Sequence, residues 1–301
     1  MVYPIFKVKK PGLYASIQDE GRKGYQRYGV PISGAMDRYA FRMGNYILQN
    51  SSNVPALEVT LLGTELIALA DIVVSITGAD LTPSVDGKTV PMWKSFKIYK
   101  GQNISFGQPK SGARAYLCVA GGFDYQSILG SCSVYERGNM GRPLQKDNIL
   151  YGKKNEKSHP GMALNPLWIP TYKNEIELRV VPSHHIDKFK EESLRLFYEQ
   201  VYIFQKGDRM GGILKGEELI IHRNGADIIS EATTFGTIQI PASGQPIILF
   251  ADSQTTGGYT TIGTVVSADL WKIAQLLPGG KVRFKKVTLE EAEIARKEWM
   301  A

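Results

Sequence analysis

Short apolar runs, separated by glycine, proline and polar turns, repeat along most of the chain. Those at 66–77 (LIALADIVVSIT), 96–100, 103–107, 113–121 (ARAYLCVAG), 176–182, 236–242, 246–252 and 281–287 predict strands. Turn signals lie between them: DGK at 86–88, PKSG at 109–112, ASGQ at 242–245 and PGG at 278–280. Close spacing with short turns argues for antiparallel barrel or sandwich structure. Four segments carry a helical period instead. Residues 36–49 place Ala40, Met43 and Ile47 on one stripe, and 184–200 place Ile186, Phe189, Leu196 and Phe197 near one face after a Ser183 cap. Residues 268–277 follow Ser267 as cap, and 289–299 open with the capping-box pair Thr288 and Glu291. The pattern predicts a mainly β protein with a few helices, in two β-rich halves.

Residues 153–175 are polar, proline-rich and without a clear period, which reads as a linker. The expected division is an N-terminal β-rich domain over 1–165, carrying the helix 36–49, and a C-terminal β-rich domain over 166–301.

Composition changes this picture little. With 301 residues, 43% of them hydrophobic and 22% charged, the chain can bury a sizeable core. The formal net charge is +7, but the basic residues are scattered in short groups (KVKK at 7–10, KK at 153–154 and 285–286). None is interleaved with aromatics, so no nucleic-acid partner is expected. The two cysteines, Cys118 and Cys132, cannot build a disulfide framework and suggest a reducing compartment. No apolar stretch approaches the roughly 20 residues of a membrane span, and no leader-like apolar segment is evident. A cytoplasmic location without membrane contact is the expectation.

Standard chemistry leaves no motif. There is no phosphate loop of Walker type, no dinucleotide fingerprint, no nucleophile elbow and no spaced metal-ligand set. On a helix the adjacent His184 and His185 would point about 100° apart and could not share a metal, so they read as a solvated helix start and no metal site is expected.

Three polar, glycine-rich stretches stand out instead. In SIQDEGRKGYQRYGVPISGAMDRYA (16–40), Gln18, Asp19, Arg22, Tyr28, Ser33 and Asp37 crowd a tight loop that ends at a helix start. Backbone N–H groups there could face an anion or a polarised carbonyl oxygen. The plainer reading is that Ser33 caps the helix and Asp37 favours its dipole. In QKGDRMGGILKGEEL (205–219), Asp208 and Arg209 read either as an internal ion pair or with Arg209 as a fork for a substrate carboxylate. In TIQIPASGQPIILFADSQTTGGYTTIG (237–263), Gln239, Asp252, Gln254, Thr255, Thr256 and Tyr259 supply mostly neutral donors and acceptors. Gly257 and Gly258 would let backbone approach a ligand closely. Such a set suits an amide-bearing ligand better than a phosphate; the rival is a purely structural turn after an edge strand.

These stretches carry a resemblance. QDEGRKGYQRYGVPISGAMD, AGGFDYQSILGS, GDRMG and GTIQIPASGQPIILFADSQTTGGYTTIGTVVSAD match long motifs of the biotin-dependent carboxyltransferase-like group. That group includes allophanate hydrolase subunit 2, KipA and the 5-oxoprolinase C subunit, and is related to the carboxyltransferase region of urea amidolyase. The likeness runs from about residue 8 to 288.

The resemblance implies a cyclophilin-like β-barrel architecture and chemistry at an amide or lactam. It implies a hydrolase subunit, inactive alone, of an ATP-dependent 5-oxoprolinase that opens 5-oxoproline to glutamate. The partners would be a KipI-like protein, the B-type component, and a lactam-utilisation-type protein, the A-type component. No covalently bound cofactor is expected, and ATP would be used by the complex. The alternatives are a KipA-type regulator that antagonises a kinase inhibitor, or a component passing a carboxyl group from carboxybiotin to a urea-like amide. Asp19, Ser33, Asp37, Arg209, Gln239 and Asp252 are the catalytic candidates, with Asp19, Asp37 and Asp252 all open as general base. Gln18, Arg22, Tyr28, Gln254, Thr255, Thr256, Gly257, Gly258 and Tyr259 are the binding candidates.

The chain departs from the family pattern at four places. They are Ser230-Glu231-Ala232 for S-E-G, Gly130-Ser131-Cys132-Ser133-Val134 for G-S-R-S-T, Gly207 to Leu214 in the SDRMG stretch, and Thr260 in place of the proline after Tyr259.

Overall fold

The computed structural model describes residues 1–300 and resolves two compact units. The first is made of residues 1–23 and 33–172, the second of 24–32 and the chain from 173 onward. Both are mostly β.

The first unit holds β1 (Val2–Pro11), β2 (Tyr14–Gln18), β3 (Ala56–Thr60), β4 (Thr64–Ala68), β5 (Ile72–Asp80) and β6 (Ser84–Val85). It continues with β7 (Lys88–Thr89), β8 (Ser95–Ile98), β9 (Asn103–Ser105), β10 (Ser111–Val119), β11 (Phe123–Asp124) and β12 (Ile149–Lys153), and one helix, α1 (Arg38–Ile47). One sheet has the order β11-β12-β1-β4-β9-β6-β7, the other β2-β3-β10-β5-β8. Ile5, Phe6 and Val8 of the first meet Ile17, Leu57, Val59, Ile76 and Leu117 of the second in one buried cluster.

The single apolar run at 66–77 serves both sheets. The chain leaves the first at Ala68, turns through Leu69-Ala70-Asp71, and enters the second at Ile72. Asp71 secures the turn by accepting the Lys100 N–H at 3.0 Å. Apolar pattern alone cannot show such a change of sheet, because both halves are buried.

Strand β10 is buried almost throughout. One face meets the sandwich core; the other packs Tyr116 and Cys118 against Ala40, Phe41 and Ile47 of α1. The helix comes close because residue 44 is glycine: a Cβ there would lie 2.6 Å from Cys118 Sγ and 2.8 Å from Thr77 Oγ1. Burial pushes the Cys118 thiol up to about 12, so it is an inert packing group.

The expected linker is not free. Leu164 is buried and its N–H donates to Trp93 O at 3.0 Å. Ser95 Oγ donates to His159 O at 2.7 Å, and Lys94 bridges Ala163. The polar composition of 153–172 reflects an irregular segment laid along the first unit.

The second unit holds β13 (Glu175–Pro182), β14 (Tyr202–Gly207), β15 (Gly211–Lys215), β16 (Asp227–Ala232), β17 (Thr237–Gln239), β18 (Ile247–Leu249), β19 (Thr256–Tyr259), β20 (Thr261–Val265) and β21 (Lys281–Lys286). Seven of them close a barrel in the order β13-β20-β17-β18-β15-β14-β21, sealed by parallel pairing of β21 with β13. Closure leaves the barrel no edge strand. Strands β16 and β19 form a separate two-stranded ribbon.

The helices of this unit are α2 (Glu191–Glu199), α3 (Leu270–Gln275) and α4 (Leu289–Met300). Phe197 of α2 stacks on Phe284 of β21 with centroids 4.4 Å apart. The expected helix over 184–200 therefore begins seven residues later (191 against 184). Ser183 does not cap it, because its hydroxyl pairs with Thr261 Oγ1 at 2.7 Å. Ser267 does not cap α3 either: it opens a 3₁₀ turn, and Asp269 beyond it is engaged by the Arg179 guanidinium through two bonds of 2.9 and 2.8 Å and by its N–H at 2.9 Å. The capping box of α4 forms as expected, with Thr288 N–H on Glu291 Oε2 at 2.7 Å and Glu291 N–H on Thr288 Oγ1 at 3.2 Å. No helix among the described residues is long and apolar enough to cross a membrane.

Candidate functional site

The candidate residues fall into one set in each unit. In the first unit, Gln18, Asp19 and Arg22 are buried and laced to the loop 128–134. The Asp19 carboxylate accepts from the hydroxyls of Ser131 (2.6 Å) and Ser133 (2.5 Å) and from the N–H groups of Cys132 (2.7 Å) and Gly21 (2.8 Å). Three of these donors converge on Oδ1 and one on Oδ2, so the carboxylate ties the 131–133 loop to the end of β2. The Arg22 guanidinium donates to the carbonyls of Ser133 and Ile128, and Gln18 Nε2 donates to Ser16 Oγ at 2.9 Å and Val134 O at 3.3 Å. The serines of the divergent Gly130–Val134 stretch thus tie this loop together.

Ser33 does not cap α1. It sits in the left-handed region at φ 58° and is fully buried, and its Oγ has no hydrogen-bond partner among the described residues. Asp37 is the cap: one carboxylate oxygen accepts the Ala40 N–H at 3.0 Å, the other the Tyr172 hydroxyl at 3.0 Å.

Asp37 leads into a buried network that sequence reasoning missed. Its N–H donates to Tyr116 Oη at 2.8 Å, and that hydroxyl donates to Glu58 Oε2 at 2.8 Å. Glu58 Oε2 also accepts the Met36 N–H at 2.9 Å. Burial, and then the carboxylates of Glu58 and Asp37, push the Tyr116 phenol well up; burial and Asp37 do the same for Tyr172. Both phenols remain neutral donors. Glu58 alternates with apolar neighbours in a strand, so its position carries no motif; only β3 beside β10 brings it to Tyr116.

In the second unit, Arg209 and Asp252 form a buried fork-like pair, with Nε to Oδ2 at 2.8 Å and Nη2 to Oδ1 at 3.1 Å. The pair with Asp252 lies across the barrel rather than between chain neighbours. Asp208 accepts the N–H groups of Met210 (2.6 Å) and Gly211 (3.2 Å) in the turn between β14 and β15. Arg209 is committed to Asp252, so neither is placed as an open substrate fork or base.

In the same unit, Gln239 of β17 is 2% exposed. Its Oε1 accepts from Gln254 Nε2 at 3.3 Å, while its own Nε2 has no hydrogen-bond partner among the described residues. A buried amide N–H₂ without a partner is costly unless something else satisfies it. Gly257 adjoins it: a Cβ there would run into Gln239 Nε2 and lie 3.1 Å from Thr233 Cγ2. Thr233 links the neighbouring strands, its hydroxyl donating to Gln254 O at 2.6 Å and its N–H to Thr255 O at 2.9 Å.

The TTGGY run is a strand rather than a loop. Residues 256–259 form β19, with Tyr259 opposite Asp227, Gly257 opposite Glu231 and Thr256 opposite Ala232. Thr255 is buried, whereas Gln254, Thr256 and Tyr259 are exposed. Thr260, where the family pattern has proline, is fully buried. Its N–H donates to Ala226 O at 2.8 Å and its hydroxyl lies 2.8 Å from His222 Nε2. Proline could make neither bond. Tyr28, also of this unit, is 66% exposed beneath the Arg27 guanidinium, 4.7 Å from its ring centroid. That exposed position does not join it to the buried candidates.

His184 and His185 are not on a helix. They form a turn before the 3₁₀ segment Ile186–Lys188, and both side chains reach Glu231. They are the group among the described residues whose donor atoms converge as metal ligands would.

The protein is 38% identical to the C subunit of 5-oxoprolinase from Haemophilus influenzae over 291 residues, covering 94% of this chain and 92% of that one. The crystal structure of TTHA0988 matches with a TM-score of 0.86 at 32% identity, over 94% of this chain and 56% of that chain. The crystal structure of the K. lactis urea amidolyase matches with a TM-score of 0.92 at 29% identity, over 99% of this chain and 20% of that chain. This chain thus spans about half the length of the first of these structures and a fifth of the second. Residues 28–286 match the model of the carboxyltransferase domain, subdomain A and B, and the chain belongs to that family.

Proposed function

We propose that the chain is the C-type subunit of an ATP-dependent 5-oxoprolinase, which opens 5-oxoproline to glutamate together with a B-type and an A-type partner. The observation that carries the reading is the 38% identity to a 5-oxoprolinase C subunit over nearly the whole of both chains. The second unit offers chemistry that fits. Ring opening breaks the lactam C–N bond and draws negative charge onto the carbonyl oxygen, which neutral N–H donors stabilise. The Gln239 amide, held by Gln254 and with its N–H₂ unpaired among the described residues, is such a donor. The chain has no phosphate loop, so ATP handling is assigned to a partner, and the chain alone is inactive.

The test is glutamate release from 5-oxoproline and ATP by the co-purified ternary complex. Activity that requires this chain is expected, with Gln239→Ala lowering it about 10²-fold or more. A folded ternary complex that releases no glutamate overturns the reading. The structural match to a urea amidolyase at a TM-score of 0.92 favours one second reading, carboxyl transfer to a urea-like amide. Carboxylation of urea by this chain with a carboxybiotin-bearing partner, and no lactam opening, would select it.

A further inference from the structure

We infer that His184, His185 and Glu231 form a site for one divalent transition-metal ion, which fastens the β16–β19 ribbon to the turn after β13. His184 Nε2 lies 3.0 Å from Glu231 Oε2 and His185 Nε2 lies 3.4 Å from the same carboxylate oxygen. The three donor atoms all fall within 4.8 Å of one another. A tetrahedral ion bound at about 2.0–2.1 Å separates its ligands by roughly 3.3 Å, which both histidine–carboxylate spacings already match, while the two histidine nitrogens lie within 4.8 Å of each other. Two imidazoles and one carboxylate select zinc, copper or nickel over magnesium or calcium. Three protein ligands leave a fourth position for water or an incoming ligand atom.

The surroundings are those of a ligand histidine. His185 is buried, and its Nδ1 lies 3.0 Å from Thr261 Oγ1, whose hydroxyl is paired in turn with Ser183 Oγ at 2.7 Å. With a metal on Nε2, Nδ1 carries the proton and donates to Thr261 Oγ1. That outer partner sets the tautomer and the ring plane. The metal-free ring has an equally defined arrangement: Thr261 N–H reaches Nδ1 at 3.3 Å, and the Nε2 proton faces Glu231. His184 and Glu231 are partly open to solvent, with side chains 71% and 47% exposed, so an ion can enter without unfolding.

The consequence falls on the ribbon. Glu231 pairs directly with Gly257 in the β16–β19 register, and Gly257 borders the Gln239 amide. An ion at the cluster would restrain the strand that carries this edge of the candidate amide site. The inference concerns binding by the chain alone and does not rest on the proposed reaction.

The test is titration of the purified full chain with Zn²⁺ against a chromophoric chelator, with Co²⁺ absorption reporting geometry. One equivalent is expected to bind, with the intense visible bands of a four-coordinate Co²⁺ site. His184→Ala and Glu231→Gln, both at partly exposed positions, should each weaken binding by at least about tenfold. Thr261→Val, which removes the outer hydroxyl and keeps the β-branched shape, should weaken it about tenfold. Zn²⁺ should also raise the Tm of the wild-type chain and not that of His184→Ala. Absence of stoichiometric binding by the wild-type chain, or equal affinity in His184→Ala and Glu231→Gln, overturns the inference.

Discussion

Gly257→Ala probes the contact on which the amide site depends. Gly257 has no positive φ, so alanine meets no backbone strain there. What it meets is the Gln239 amide, which occupies the space a Cβ would need, with Thr233 Cγ2 behind at 3.1 Å. If Gln239 stays in place, the overpacking costs about 1–3 kcal/mol. If its amide swings away, the bond from Gln254 Nε2 is lost, at about 1 kcal/mol. The two routes together predict a loss of roughly 1–3 kcal/mol. The same atoms are involved in Gln239→Ala, so the double variant should be less than additive. The coupling should be about 1 kcal/mol, because removing Gln239 leaves room for the new methyl. The assay is equilibrium urea unfolding of the chain and its three variants, comparing midpoints at constant slope. Additivity within about 0.3–0.5 kcal/mol would mean the two residues do not share the space and would refute the packing argument. In the glutamate-release assay the double variant should recover stability without activity, since the donor itself is gone.

Asp252→Ala removes the Asp252 carboxylate that the buried Arg209 guanidinium binds through two bonds and should cost about 3–5 kcal/mol in urea unfolding; Arg209→Met with Asp252→Leu should recover most of that loss. Thr260→Pro restores the family residue yet removes the N–H that Ala226 O accepts, so a loss of about 1–3 kcal/mol is expected, larger than for Thr260→Val; a proline variant as stable as the wild type would sink the assignment. Burial lowers the His222 pKa, opposed by its bond to Ile240 O. The unfolded chain therefore binds more protons than the folded one below about pH 6.5, so this stability is complete above that pH and is lost as pH falls through the depressed folded value. Tm should drop between about pH 7.5 and 5.5 more steeply in the wild type than in His222→Gln, and parallel profiles would contradict it.

Much of the molecule was legible from residue order because the relevant interactions are local. Strand periodicity at 176–182 and 281–287 survives as β13 and β21, since alternate residues face a buried interior in both. The Thr288–Glu291 capping box formed because its partners lie three residues apart. The polar glycine-rich stretches were recognisable as a family pattern, and the family match bears that out.

Tertiary structure decided the partners. Arg209 reaches Asp252, 43 positions away, because β15 and β18 are neighbours in the barrel. Asp19 has the look of a base in sequence, and becomes a structural tie when the 131–133 loop folds onto it. Glu58 and Tyr116 carry no motif and meet because β3 lies beside β10. The TTGGY stretch, whose rival reading was a structural turn, proved to be a strand, since its backbone pairs with β16, a segment whose pairing no local pattern announced. The adjacent histidines diverge on a helix and converge in a turn. Residue order by itself determined the class of fold, the family and the identities of the polar groups. Which groups are spent on one another and which remain to meet a ligand was decided by strand pairing, because hydrogen bonds and ion pairs are satisfied across space rather than along the chain.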